Sequence, residues 1–393
     1  MTQREVVVTA LARTAIGSFG GSLKEVPPAR LATLVLQATL ERSGVVPAEV
    51  GHVVMGTVIP TEPRDAYLSR IASIDAGIPQ ETPAYNVNRL CGSGLQAIVS
   101  AAQSVLLGDV DVAIGAGAES MSRGAYLMPA ARWGTRMGDS TLLDFATGVL
   151  HDPWAGNHMG VTAENVAARH GITREMQDAL ALESQRRAAQ AIAAGHFRSQ
   201  IVPVEIRNGK TSVLFDTDEH PRAVTAEALA KMKAVFQKDG TVTVGNASGI
   251  NDGAAAVMLA EAGHARALGL TPLARLVSYA HAGVEPQYMG MGPVPATRLA
   301  LKKAGLRIAD VDVIESNEAF AAQACAVARE LDFDPARVNP NGSGISLGHP
   351  IGATGAILVV KAISELQRTG GRYALVTMCI GGGQGIAAIF ERT

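Results

Sequence analysis

The chain has 393 residues, of which 47% are hydrophobic, 18% charged and 4% aromatic, and its formal net charge is -2. Such a length exceeds one ordinary core and gives a prior of about two or three domains. A near-neutral charge argues against nucleic acid or an anionic membrane as the main partner, because both demand a basic surface.

The three cysteines, Cys91, Cys325 and Cys379, are odd in number and far apart, so no disulfide scaffold is expected and a reducing compartment follows. No Cys-x-x-Cys or His-x-x-x-His pair points to a metal. The start, with Glu5 beside a short apolar run and Arg13 after it, reads as a first strand and not as a signal peptide. No apolar run is expected to span a membrane, and Glu391-Arg-Thr393 is not a peroxisomal address. The expected location is the cytoplasm.

In chain order, a strand is predicted at residues 6–10, a helix over 28–43 and a second strand at 52–55. Their alternation predicts a parallel or mixed sheet with helices on its faces. A helix around 65–76 precedes Asn86-Val-Asn-Arg-Leu-Cys91-Gly-Ser-Gly94, where an extended segment turns through small residues into a helix marked by Leu95, Ile98, Ala102, Val105 and Leu106. Cys91 thus stands at or beside a helix start, whose free N–H groups and partial positive charge are expected to ease loss of its proton. Taken alone, a free cysteine is more often a small buried hydrophobe. A strand at 110–114 then ends in a glycine-rich loop over 115–122.

Between 122 and 243 the regular alternation stops. This stretch holds Trp133, Trp154 and two helical patterns, at 162–169 and 173–194, and reads as an insertion placed to cover a site. The scaffold resumes at 242–253 as a Gly/Asn/Ser loop, expected to lead into an Ala-rich helix and a strand at 255–260. The last third echoes the first: residues 309–315 resemble 48–55, Asn339-Pro-Asn341 echoes Asn86-Val-Asn88, and 372–383 takes the place of 111–117. A duplicated α/β unit accounts for this. It sets His349, in Gly348-His-Pro-Ile-Gly352, at the helix start that matches Cys91, so that two halves would offer a nucleophile and its base to one site. By itself, His349 would read as an exposed loop histidine.

The glycine-rich loops invite a nucleotide-binding reading, but no Gly-x-x-x-x-Gly-Lys-Ser/Thr occurs and neither Gly115 nor Gly381 opens a Gly-x-Gly-x-x-Gly. The glycines after Cys379 instead offer N–H groups suited to an oxyanion hole. Cys325, in an Ala-rich predicted helix, reads as core. Asn317-Glu318 follows a strand predicted at 311–314; it reads either as a capping pair or as part of a ligand site at the carboxyl end of an open sheet.

Taken together, the chain resembles the thiolases over essentially its whole length, and most closely the bacterial short-chain acetyl-CoA acetyltransferases and β-ketothiolases. The likeness runs through Asn88-Arg-Leu-Cys91-Gly-Ser-Gly-Leu-Gln, Gly115-Ala-Gly-Ala-Glu-Ser-Met-Ser122, Asn246-Ala-Ser-Gly-Ile-Asn-Asp-Gly253, Asn317-Glu-Ala-Phe320, Gly348-His-Pro-Ile-Gly352 and Cys379-Ile-Gly-Gly-Gly383. It implies an α/β duplicated thiolase fold, two βαβαβαββ halves in five α-β-α-β-α layers with a large loop-domain insertion in the first half. The N-terminal half would take residues 1–121 plus 244–270, the loop domain covering the CoA site 122–243, and the C-terminal half 271–393.

The same resemblance implies an acyltransferase that condenses two acetyl-CoA reversibly to acetoacetyl-CoA and CoA by a ping-pong, acyl-cysteine route. CoA thioesters are substrates, and no permanently bound cofactor or metal is expected. Cys91 would carry the acyl group, His349 would be its base, and Cys379 would move the α-carbon proton. One oxyanion hole would come from His349 with a water held by Asn317, the other from the N–H groups of Cys91 and Gly381. CoA or substrate contacts are implied for His158, Met159, Arg222, Phe236, Val244, Ser248, Ala319 and Phe320. His158 favours the short-chain biosynthetic branch over a degradative 3-ketoacyl-CoA thiolase of β-oxidation. Residues 64–67 and 278–283 look like β-ketothiolases whose range extends to propionyl-CoA and 3-ketovaleryl-CoA. Between Arg222 and Phe236 the chain is one residue shorter than the family pattern, and Ala228 stands where a serine often contacts CoA. Family precedent implies a homotetramer, a dimer of dimers, in fatty acid or polyhydroxyalkanoate metabolism.

Overall fold

The computed structural model describes residues 4–209 and 211–393, so residues 1–3 of the expected N-terminal half lie outside it. The β-branched run at Val6–Thr14 forms β1, buried along its whole length. Helix α1 (Pro28–Ser43) matches its predicted span, because Pro28 presets the first turn and Gly44, at φ 69, closes the last in the left-handed region. There follow β2 (His52–Gly56), α2 (Leu68–Asp75), β3 (Ala84–Val87), α3 (Ser93–Leu107) and β4 (Val112–Ser120). Helices α4 (Met159–His170) and α5 (Arg174–Ala194) lie in the long excursion before β5 (Asn251–Glu261). The remaining elements are β6 (Ala274–Gly283), α6 (Pro293–Ala304), β7 (Val313–Ser316), α7 (Ala321–Glu330), α8 (Ile351–Thr369), β8 (Tyr373–Ile380) and β9 (Gln384–Arg392).

The strands make the duplication explicit. In the first half they run β1-β5-β4-β2-β3, antiparallel across β1/β5 and β5/β4 and parallel across β4/β2 and β2/β3. In the second they run β6-β9-β8-β7, antiparallel across the first two junctions and parallel across β8/β7. A parallel bridge between Ile314 and Val338 occupies the position of β3. The halves join where β1 meets β6, through Val7 with Arg275 and Val8 with Ala274.

Helices α1 and α2 cover the outer face of the first half and α6 that of the second, while α3 and α8 lie together between the two. That order is the five-layer α-β-α-β-α stack. Helix α8 has apolar residues on every side and fifteen of its nineteen residues are buried, as a central layer requires. It meets α3 through glycines: a Cβ on Gly355 would come within 2.3 Å of Leu95 N, and one on Gly94 within 2.7 Å of Ala356 N. The backbones touch because no side chain separates them.

Several local expectations change. The glycine-rich stretch after residue 114 is not a loop but the continuation of β4 to Ser120. Its glycines are packing devices, since a Cβ on Gly115 would sit 2.4 Å from Ile98 Cα and one on Gly117 2.5 Å from Gly352 O. No Ala-rich helix precedes the strand at 255–260, because residues 254–256 already pair within β5. The strand expected at 311–314 is displaced to Val313–Ser316. The window Leu90–Leu107 is long and apolar enough to cross a membrane by length and composition, contrary to expectation, but 61% of it is buried inside the protein as part of α3.

Candidate active site

Cys91 and His349 occupy equivalent positions in the two halves, each two residues before the first residue of α3 or α8. Both face one cavity of about 360 Å³, within the range of small-molecule sites. Cys379 and Gly381 line it too, as do His158, Met159, Arg222, Phe236, Val244, Ser248, Ala319 and Phe320. Asn317 does not line that cavity. It lies behind His349, with its Nδ2 3.4 Å from His349 Nε2 and its buried Oδ1 unpartnered.

The turn holding Cys91 packs directly on the end of β8, for a Cβ on Gly92 would be 2.5 Å from Ile380 Cδ1. This contact brings the backbone N–H of Gly381 to the Cys91 sulfur. Cys379, the last residue but one of β8, is a fully buried thiol, and Gly382 and Gly383 beyond the strand, at φ 81 each, turn the chain back into β9.

Helix position does not make Cys91 acidic. Burial raises its pKa to about 11, against the opposing pull of the Gly381 and Cys91 N–H groups. It is flanked by Val58, Ile59, Met121 and Ile351, and desolvation by these apolar groups outweighs the field of a helix that starts two residues later. Burial raises Cys379 further still, and the neighbouring Cys91 adds to the effect. Both rest as thiols.

His349 is buried, at 5% exposure, and not the exposed loop residue its small neighbours had implied. Its backbone N–H is held by Asn251 Oδ1 at 2.9 Å, and Asn251 Nδ2 in turn reaches Gly17 O at 3.0 Å. Gly348, at φ 105, allows this approach, because a Cβ there would fall 2.5 Å from Asn251 Cγ. Thr354 Oγ1 gives its hydrogen to the Pro350 carbonyl and therefore accepts from His349 Nδ1 at 2.7 Å. The ring is thereby fixed in the Nδ1–H tautomer, with the Nε2 lone pair unprotonated and facing Asn317 Nδ2 at 3.4 Å. Burial lowers its pKa to about 4, so the imidazole is neutral and able to take a proton.

His158 is arranged differently. Its Nδ1 accepts from Gly160 N at 3.0 Å, which puts the ring hydrogen on Nε2, and the ring stacks on Phe236 with centroids 4.6 Å apart. A Cβ on Gly160 would strike the Phe236 ring at 2.2 Å. Phe320 meets Phe236 edge-on at 6.1 Å, completing an apolar wall. Arg222, exposed at the mouth, makes no ion pair among the described residues. Ala228 lies in the short helix Ala226–Ala230, capped by Thr225. Behind the site, Glu318 accepts from Ser184 Oγ and Asn339 Nδ2, which fixes the loop carrying Asn317. Cys325 lies on α7, outside the cavity.

Sequence reasoning missed Met121, Leu150, His220, Ile250, Met289 and Ile351, which also line the cavity. Met121, Ile250 and Ile351 stand inside the quoted motifs as apolar residues with no chemistry to single them out, and Leu150 and Met289 lie in none. His220 carried a signal, two residues before Arg222, yet only folding reveals it as a buried imidazole with an unpartnered Nδ1. No cluster of His, Cys, Asp or Glu among the described residues could hold a metal ion.

A duplicated α/β fold with two thiols and a neutral imidazole around an apolar cavity defines a class of thiol-dependent group-transfer enzymes. Comparison with known proteins identifies the family. The model for the thiolase N-terminal domain matches residues 6–263 and that for the thiolase C-terminal domain residues 270–392, and the chain belongs to the thiolase family. It is 65% identical over 391 residues to the beta-ketothiolase BktB of Cupriavidus necator, covering 99% of each chain. The crystal structure of the Bacillus anthracis acetyl-CoA acetyltransferase superposes with a TM-score of 0.98 at 47% identity, covering 100% of this chain and 99% of that one. Human mitochondrial 3-ketoacyl-CoA thiolase in complex with CoA gives 0.96 at 44% identity, covering 100% and 98%.

Proposed function

We propose that the protein is an acetyl-CoA C-acetyltransferase of β-ketothiolase type, condensing two acetyl-CoA to acetoacetyl-CoA and CoA and running the reverse thiolysis. The observation that carries this reading is the meeting of Cys91, His349, Cys379 and Gly381 on one cavity, in a chain 65% identical to a beta-ketothiolase.

His349 Nε2 takes the proton of Cys91 as its sulfur attacks the thioester carbonyl. The oxyanion is met by the N–H groups of Cys91 and Gly381. CoA leaves as a thiolate and takes the Cys379 proton, so acetyl-Cys91, imidazolium and Cys379 thiolate remain. A second acetyl-CoA then loses an α-proton to Cys379, and its enolate oxygen is met by His349 Nε2–H and a water held by Asn317. The enolate carbon attacks acetyl-Cys91, the sulfur leaves and His349 returns its proton. The balance closes, and the division of labour fits the burial: the thiol with the higher proton affinity handles the carbon acid.

The CoA arm lies between the segment 122–243, the proposed loop domain, and the two halves, at 1–121 plus 244–270 and at 271–393. Arg222 meets its phosphates, and His158, Met159, Phe236, Val244, Ser248, Ala319 and Phe320 line its path. The cavity's flexible Met121, Met159 and Met289 leave room for a propionyl group. The three unpaired cysteines suit the cytoplasm. A homotetramer is supported by the hairpin arm around Tyr126, Leu127, Leu142 and Leu143, where Trp133 is 90% exposed.

Thiolysis of acetoacetyl-CoA, 3-ketovaleryl-CoA and 3-ketohexanoyl-CoA tests the reading. Rates should be highest on the two shorter substrates; a strong preference for chains longer than these would favour a degradative 3-ketoacyl-CoA thiolase instead. Cys91→Ser should show no acetyl mass shift with acetyl-CoA, whereas Cys379→Ala should acylate without condensing.

A further inference from the structure

Glu119 stands next to the end of β4 with no exposed surface. It has no Lys or Arg partner among the described residues; three backbone N–H groups surround it. Its carboxylate accepts from Val58 N at 3.2 Å and Ile59 N at 3.1 Å, in the loop that follows β2, and from Gly352 N at 2.8 Å, in the first turn of α8. One side chain of the first half therefore holds both its own loop and the leading end of a helix from the second.

What those donors carry gives the contact its meaning. Val58 and Ile59 pack with Met121, Ile351, Leu90 and Cys91, so the first segment is part of the wall around the nucleophile. Gly352 lies three residues after His349 and begins the turn whose Thr354 fixes the imidazole. The glycine is required, for a Cβ there would sit 2.5 Å from Glu119 Oε2 and 2.9 Å from Thr57 Cα. Burial pushes the Glu119 carboxyl up to about 8, outweighing the pull of the three N–H groups toward the charged form. A helix N-terminus is where a negative charge is best placed.

We propose that Glu119 is a positioning residue for acyl transfer: it ties the start of the His349 helix to the loop beside Cys91 and so sets the spacing of nucleophile and base across the two halves. The inference rests on the thiolase reaction proposed above. Both oxygens face backbone donors, Oε1 that of Ile59 and Oε2 those of Val58 and Gly352, and this donor set, which holds a charge that burial disfavours, is satisfied best by the ionised carboxylate. A glutamine would present an NH₂ to one of the backbone donors, leaving it unpaired and pushing the segments apart.

The experiment compares wild type, Glu119→Gln, Gly352→Ala and the double variant, with kcat and KM measured separately for CoA in acetoacetyl-CoA thiolysis. Displacement of a catalytic group by about 1 Å costs on the order of a hundredfold, so each single variant should lose about 10- to 100-fold in kcat. KM for CoA should stay within about twofold, because Arg222, Phe236 and Ser248 do not touch Glu119 and binding and positioning are separate terms. The double variant should be no slower than the slower single, since both substitutions break the same tie. Circular dichroism melting checks that each variant is folded, and Gly352→Ala carries the test should Glu119→Gln fail to fold. A kcat within twofold of wild type, a KM that rises in step with the loss of kcat, or losses that multiply in the double variant would overturn the proposal. Absence of thiolysis in the wild type would instead sink the underlying reaction.

Discussion

Replacing Thr354 with valine keeps the shape of the first turn of α8 and removes one oxygen. In the native protein that oxygen accepts His349 Nδ1–H at 2.7 Å while donating to Pro350 O at 2.9 Å. Valine would leave a buried N–H unpaired, at a cost of about 1–3 kcal/mol, and would cease to favour the tautomer that exposes the Nε2 lone pair. If the whole cost bears on base availability, kcat falls roughly 5- to 150-fold, since about 1.4 kcal/mol is a factor of ten. Thr354→Ser restores the hydroxyl and should recover most of the activity. The assay is acetoacetyl-CoA thiolysis with the acylation step followed separately by mass. A Thr354→Val enzyme with wild-type kcat, or a serine variant as slow as the valine one, would refute the reasoning that the hydroxyl selects the working tautomer.

Arg222→Gln should raise KM for CoA about three- to tenfold at low salt, with a smaller effect at high salt as screening removes the attraction. A pantetheine thioester without the nucleotide phosphates should show no change. Acid stability offers another check. Burial lowers His349 to about 4 from an ordinary 6.5, so the unfolded chain takes up the proton first. Stability is therefore unaffected above pH 6.5, falls as pH drops from 6.5 to about 4, and levels off below. A difference of that size is worth roughly 3 kcal/mol at about 1.36 kcal/mol per pH unit. His158, His220 and His281, also lowered to about 4 by burial, add to the slope. His349→Asn should flatten the slope in this window during denaturant unfolding; an unchanged slope would contradict the buried, neutral ring.

The pairing of Cys91 with His349 was legible in the sequence because it depends on order: strand, small-residue turn and helix recur in both halves, and the structure places the two residues at matching helix starts. The thiol's acidity was not legible. It depends on Val58, Ile59, Met121 and Ile351 meeting around the sulfur, and these come from separate segments that no local pattern connects. The glycines of β4 misled for a related reason: Gly115 and Gly117 permit close packing against Ile98 and Gly352, whereas read along the chain they look like a turn. Asn317 was recognised by its motif, but its place behind the histidine and not on the cavity wall is set by the pairing of β7 with β8.

The contact of Gly94 and Gly355 separates two things that could evolve independently. Leu150, His158, Met159, His220, Arg222 and Phe236, all cavity residues, belong to the excursion between β4 and β5, whereas Cys91 and His349 precede helices whose backbones are in direct contact. A change in the excursion alters what enters the cavity without moving Cys91 and His349; a methyl group added at the helix contact shifts these two whatever enters. Altered acyl selectivity should therefore be within reach of substitutions in the excursion, and the chemistry should tolerate them far better than any enlargement of those two glycines.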